Sequence, residues 1–231
     1  MENRWMNNRG MKRKHRKRRF VPWFVLGLLL AAALACTVLY WKPFGGKKFS
    51  DSDFGITTYV SAVDRDGDGV DDQTDLLRGA YDYIATSPRY KSEYYESGYP
   101  DDGYGVCTDV VAFALRSAGY DLRALVHEDV LMNPDAYEIE TPDQNIDFRR
   151  VRNLTVWFRR NALSLTTDVS DIAAWQGGDI VVFREHIGIV SDHRNAHGVP
   201  YVLHHSGPRQ IRYEEDILEK RDDIAWHFRI S

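Results

Sequence analysis

The chain has 231 residues, 43% of them hydrophobic and 28% charged, which is enough for one well-packed domain with an appendage. The formal net charge of −4 conceals an asymmetry: residues 1–19 carry nine Lys/Arg against Glu2 alone, leaving 21 basic and 33 acidic residues in the remainder. A basic tail before an acidic body argues against nucleic acid as the body's partner.

From Phe20 to Trp41 the run "FVPWFVLGLLLAAALACTVLYW" has no charged residue. At about 1.5 Å per residue its length suits a transmembrane helix, and Trp23, Tyr40 and Trp41 suit the interfacial aromatic belts. "KRKHRKRR" just upstream places the N-terminus in the cytoplasm by the positive-inside rule. Residues 1–19 therefore read as a cytoplasmic tail and 20–41 as a single-pass anchor in the cell membrane. Residues 42–56 read as a Gly/Lys/Ser-containing linker, and 57–231 as an extracytoplasmic domain. A cleaved signal peptide and lipidation at Cys36 are the alternatives. The run is long for the first, and Ala33 stands where the second prefers Leu.

Within the domain, residues 64–75 read "DRDGDGVDDQTD". Asp64, Asp66 and Asp68 fall at loop positions one, three and five, with Gly69 at six, Val70 at seven, Asp72 at nine and Asp75 at twelve. Alternating carboxylates and a glycine at the sharp turn are the pattern of a Ca²⁺ loop, in which Val70 contributes its backbone carbonyl. The set offers hard oxygens and no soft ligand, so a structural Ca²⁺ is expected. Asp75 replaces the usual Glu at position twelve, and the spacing resembles the loops of dockerin and thrombospondin-type repeats.

Apolar periodicity then predicts helices over about Thr74–Ala85, from Cys107 to near Gly119, over Leu122–Met132 and over Asn153–Leu163. A Tyr-rich loop, residues 87–105, separates the first two. "GDIVVFR", "HIGIVSD", "PYVLHHSG" and "IAWHFRI" are short β-rich runs between Gly, Asp and Pro turns. Helices followed by an antiparallel sheet make an α+β domain.

Cys36 lies in the apolar run, so the outer domain has Cys107 as its single cysteine. An unpaired Cys in an exported domain, at the first turn of a helix whose dipole favours thiolate, is a candidate nucleophile. Such a thiol needs a base, and the base an orienting group. Of seven domain histidines, His186 opens the run "HIGIV" and His204 ends "YVL". Adjacent antiparallel strands can bring both to one face beside the Cys helix.

This order resembles the NlpC-type, papain-like cell-wall cysteine peptidases, with Cys at a helix start, then "GDIVVF", "HIGI" and "VLHHSG". More closely, "GVCTDV", "DFRRVRNL", "HIGIVSD" and "GVPYVLHH" resemble a bacterial domain-of-unknown-function family, number 1287, placed in the same clan. The resemblance implies a papain-like fold, Cys107 as nucleophile held as thiolate, His186 as base and His204 as orienter. His205 leaves the third member ambiguous, since strand alternation sends the two neighbours to opposite faces. Val106 and Thr108-Asp109 depart from the NlpC pattern around the nucleophile, so no peptide preference carries over. The implied activity is amide or peptide hydrolysis outside the cell, with peptidoglycan or a wall peptide as partner. A thiol acyltransferase and a non-catalytic, Ca²⁺-stabilised wall-binding module are the alternatives. Of the rest, Asp109 reads as a substrate-amine contact or a helix-dipole residue, Arg149 and Arg150 as polymer contacts or partners for acids, and Asp179 as a turn cap. His193 and His197 read as exposed, and His127 and His227 as without a partner.

Overall fold

The computed structural model describes residues 47–230, together with Trp23, Val25 and residues 27–32. These last positions are helical, and among the described residues no helix is long and apolar enough to cross a membrane. The tail at 1–19, the rest of the expected anchor, Cys36 and residues 42–46 lie outside the described residues.

Helix α1, Asp72–Ala85, starts where the Asp71 carboxylate accepts the N–H and the hydroxyl of Thr74. Its apolar stripe, Leu76, Ala80 and Tyr83, is buried against α2, Cys107–Ser117, whose Val110, Val111, Ala114 and Leu115 are also buried. The pair packs closely because Gly79 lacks a side chain: a Cβ there would sit 1.8 Å from Ser117 Oγ. Helix α3, Leu122–Met132, is capped by Asp121, and the single-turn α4, Pro134–Tyr137, has proline at its start. Helix α5, Val151–Asn161, closes the helical half. In the Tyr-rich loop, β1 (Arg89–Tyr90) pairs in parallel with β2 (Tyr104–Gly105), so that loop is tied into a short ladder.

The second half forms a six-stranded antiparallel sheet from β3 (Leu163–Ser164), β4 (Ile180–Phe183), β5 (Ile187–Arg194), β6 (Pro200–Leu203), β7 (Glu214–Glu215) and β8 (Ile224–Arg229). Its order is β3-β8-β4-β5-β6-β7. Ile180, Val182, Ile187, Ile189, Leu203 and Phe228 turn to the helices. Val181, Phe183, Val190 and Val202 turn the other way onto Trp175 and Leu218. Burial on both faces explains why "IVVF" is continuously apolar rather than alternating, each large side chain contributing roughly 1.5–3 kcal/mol. The α+β expectation with an antiparallel sheet is thus met.

The linker expected at 42–56 extends too far. Phe49 and Arg194 exchange backbone hydrogen bonds of 2.9 and 2.7 Å, and Asp51 forms a buried ion pair with Arg194 at 2.5 Å. Arg194, 1% exposed, gives its remaining donors to the carbonyls of Ile172, Gly198 and Trp175. A guanidinium that deep requires a counterion, and residues 47–56 supply it. Asp179 likewise does more than cap a turn. It accepts the Gln176 N–H, but also Gln73 Nε2, His227 Nε2 and both forks of Arg229. His227 is therefore partnered, and Trp175 stacks on it at 3.8 Å.

Candidate functional site

The site begins at the α2 N-terminus. Val106 has no capping oxygen, so Asp109 reaches back to accept the Val106 N–H at 2.8 Å. Arg149 closes on Asp109 with two bonds of 2.7 and 2.8 Å, and Thr108 donates to the Arg149 carbonyl at 3.2 Å. Asp109 is fully buried and spent on Arg149 and the helix start. It does not face a substrate, and Arg149 is a structural partner rather than a polymer contact.

This frame holds Cys107, partly exposed, against the start of β5. The backbone N–H groups of Ile187, Thr108 and Cys107 act on its sulfur and favour the thiolate, but burial outweighs them and pushes the thiol up to about 11. Burial thus opposes the thiolate expected at the helix start.

His186 directly precedes β5, and its Nε2 lies 2.9 Å from Nδ1 of His204, which directly follows β6. The two rings meet edge-on at 5.0 Å. Gly188 makes room for this: a Cβ there would lie 2.7 Å from Val202 Cγ1, 2.9 Å from the Leu203 carbonyl and 3.1 Å from His204 Cβ. Burial, then the neighbouring His204 and Arg221, holds His186 down to about 3. Burial of both groups favours the uncharged imidazole and the uncharged thiol.

Strand alternation corrects the expected arrangement, in which both rings lie on one face beside the Cys107 helix. His186 and His204 share a face, but it is the Phe183 side, where His186 stacks on Phe183, while Ile187 and Leu203 take the helix-facing positions. Cys107 packs with the helix-side core, and its tie to β5 is the Ile187 N–H, from the peptide that joins His186 to Ile187, which acts on the sulfur. Among the described residues no hydrogen bond joins Cys107 to the ring of His186. The neighbouring His205 packs between Tyr90 and Tyr213, with its Nδ1 buried and unpartnered. It is His204, not His205, that bonds His186.

Glu215 was not singled out by sequence. Its carboxylate lies 3.1 Å from Nε2 of His204, extending the chain His186–His204–Glu215. Beside His186 opens a cavity of about 340 Å³ lined by Arg184, Glu185, Ser206, Arg221 and Asp223. Its wall carries both charge signs.

In the acidic loop, Asp64, Asp66 and Asp68 bring carboxylate oxygens within 4.8 Å of one another. Asp75 is 7% exposed and its Oδ2 is buried without a hydrogen-bond partner. Asp72 does not join them: its oxygens accept the Arg65 N–H at 2.8 Å and the Tyr120 hydroxyl at 2.5 Å. Val70 donates its N–H to Asp68. Of the other histidines, His193 is bound by Glu214 at 2.7 Å rather than free, His197 is exposed beside Glu219, and His127 Nδ1 is buried without a partner.

Residues 77–230 match the family described as a domain of unknown function, DUF1287. Over 156 residues the chain is 40% identical to the uncharacterized protein YijF of Escherichia coli (strain K12), covering 62% of this chain and 75% of that protein. No solved structure matches significantly. The family match includes Cys107, His186, His204 and Glu215 and begins after the acidic loop. On a match that spans more than half its length, the chain belongs to the DUF1287 family.

Proposed function

We propose that the domain is a cysteine hydrolase of papain-like, NlpC-like kind that cleaves an amide or peptide bond in peptidoglycan. It is held outside the cell membrane by residues 20–41. The observation that carries this reading is the 2.9 Å bond between His186 and His204, at the start of a strand whose Ile187 N–H acts on the Cys107 sulfur. His186 Nδ1 makes no hydrogen bond among the described residues and is the nitrogen left to act as base. The thiol sulfur attacks the amide carbonyl carbon while its proton passes to His186 Nδ1. Helix-start N–H groups of α2 stabilise the oxyanion. The C–N bond then breaks, and His186 returns the proton to the leaving amine. Water attacks the resulting thioester, giving the acid and free Cys107. The mixed charges beside His186 suit a peptide carrying both signs.

The test is digestion of purified peptidoglycan by the wild type and Cys107→Ala, with product masses read out. New amine and acid termini from the wild type alone are expected. Products joined to an added amine would mean acyl transfer. No covalent change, with binding retained, would mean a wall-binding module.

We further propose that the 64–75 loop holds one structural Ca²⁺ through Asp64, Asp66, Asp68, the Val70 carbonyl and Asp75. The buried, unpartnered Oδ2 of Asp75 supports this reading, because an uncompensated carboxylate oxygen at that depth is costly.

A further inference from the structure

Beyond His186 and His204, one carboxylate remains whose position the triad reading does not use. We propose that Glu215 is a positioning residue that sets the proton arrangement of both imidazoles and so keeps His186 in the tautomer a general base requires. The catalytic part of this inference rests on the cysteine hydrolase reading above.

The argument is one of donors and acceptors. An ionised carboxylate only accepts hydrogen bonds. Its 3.1 Å contact with His204 Nε2 therefore requires the proton on that nitrogen. A neutral His204 then presents a bare lone pair at Nδ1. His186 Nε2, 2.9 Å away, must be the donor of that bond. The proton of neutral His186 is thus fixed on Nε2, and Nδ1 is left unprotonated. If His204 carried its proton on Nδ1 instead, His186 Nε2 would accept and Nδ1 would bear the hydrogen. The base would then have no lone pair to offer a thiol.

The surroundings support a directing role. His204 is 2% exposed, so bulk water does not choose its tautomer. Gln210 is the other polar side chain at this ring. Its amide nitrogen donates to the His204 carbonyl at 3.1 Å and stands 3.5 Å from Nε2. An amide nitrogen can only donate, so at this longer distance it favours the opposite tautomer and cannot replace Glu215. Strand β7 explains the placement. Glu215 is in register with Val202, diagonal to His204 on the same face. Its neighbour Glu214 turns the opposite way to Ser191 and His193. When His186 takes a proton at Nδ1, its Nε2–H still donates to His204, and the new positive charge lies two hydrogen bonds from a carboxylate.

The test uses the full chain in mild detergent with ¹⁵N-labelled histidine. Long-range proton–nitrogen spectra read each imidazole tautomer, with assignments from His186→Gln and His204→Gln. The wild type should show His186 and His204 both protonated at Nε2. Glu215→Met, of similar length but with no oxygen acceptor, should shift His204 toward a mixture of tautomers. Glu215→Gln, which can still accept through its amide oxygen, should restore the wild-type spectrum. On peptidoglycan, Glu215→Met should lower kcat about ten-fold with KM unchanged, since an orienter acts on the base rather than on binding. Glu215→Gln should recover most of that loss. Wild-type tautomers and turnover in Glu215→Met would overturn the inference. A wild type inert toward peptidoglycan, with tautomers that respond to Glu215 as stated, would instead overturn the hydrolase reading and leave the positioning role standing.

Discussion

Arg149 and Asp109 form a bidentate ion pair in which both side chains are almost wholly buried, and the same Asp109 carboxylate holds the Val106 N–H at the start of the Cys107 helix. The position of the candidate nucleophile therefore depends on an arginine 42 residues later in sequence. The pair is cut off from water, so its worth lies less in net stabilisation than in the cost of breaking it.

Removing one partner should expose that cost. Arg149→Leu leaves Asp109 buried and unpaired and should destabilise the domain by about 3–5 kcal/mol. Arg149→Leu with Asp109→Leu should recover part of the loss, because no orphaned charge remains. Urea denaturation of the two variants checks this, and a single variant as stable as the wild type would refute it.

The titration of the site gives a second prediction. Cys107 is pushed up to about 11 and His186 is held down to about 3, each chiefly by burial. Alkylation of Cys107 by iodoacetamide should be slow at neutral pH and accelerate steadily above pH 9, with no plateau between pH 5 and 8. Stability follows the same shifts. Between about 3 and the ordinary 6.5 of histidine, the unfolded chain binds the proton that folded His186 refuses, so stability is lost as pH falls through that window. Between the ordinary 9.0 of cysteine and about 11, the folded chain keeps a proton the unfolded one releases, so stability also falls as pH rises there. A thiol that alkylates at full rate at pH 6 would contradict the neutral pair.

Much of this site was legible from local sequence. Helix α3 falls on the expected Leu122–Met132, α1 begins two residues before the expected Thr74, and His186 and His204 do share a face, though not the expected one beside the Cys107 helix. These depend on apolar period and strand alternation, which are local. What escaped depends on pairs distant in sequence. Asp51 meets Arg194, Asp179 meets His227 and Arg229, and Glu215 meets His204 across a two-residue strand too short for any periodicity. The thiolate expectation met an opposing effect of another kind: a helix start favours the anion, but the burial that pushes the thiol up is a tertiary property.

The histidine pair also depends on a residue that carries no chemistry. Gly188→Ala would drive a methyl to within 2.7 Å of Val202 and 3.1 Å of His204 Cβ, so the β5–β6 edge must shift. Overpacking of this kind should cost about 1–3 kcal/mol. By displacing His204 from His186 it should also reduce turnover at least as much as His204→Ala does. Thermal melts and peptidoglycan digestion of the two variants side by side test this; a fully active Gly188→Ala would show that the pairing tolerates displacement.

The proposed Ca²⁺ site and the fold draw on different aspartates of the 64–75 loop. Asp66 and Asp68 cluster with Asp64, and Asp75 has an oxygen with no partner, whereas Asp72 is occupied by Arg65 and Tyr120. A ligand that binds only the native state stabilises by mass action, about 2.7 kcal/mol at a hundred-fold excess over Kd, which for a domain of this size corresponds to roughly 5–10 °C. Saturating Ca²⁺ should therefore raise Tm by that amount, and chelator should reverse it. Mg²⁺ should do much less, because it demands tighter octahedral geometry and gives up water reluctantly. Asp66→Ala with Asp68→Ala should abolish the rise, and Asp75→Asn should remove most of it. Asp72→Asn should do the opposite: it weakens the bonds to Arg65 and Tyr120 and lowers Tm in chelator, yet leaves the Ca²⁺-dependent increment nearly intact. A Tm indifferent to both Ca²⁺ and chelator would sink the site. An increment lost in Asp72→Asn but kept in Asp75→Asn would show that the ion, if bound, uses the expected position nine in place of the orphaned oxygen at position twelve.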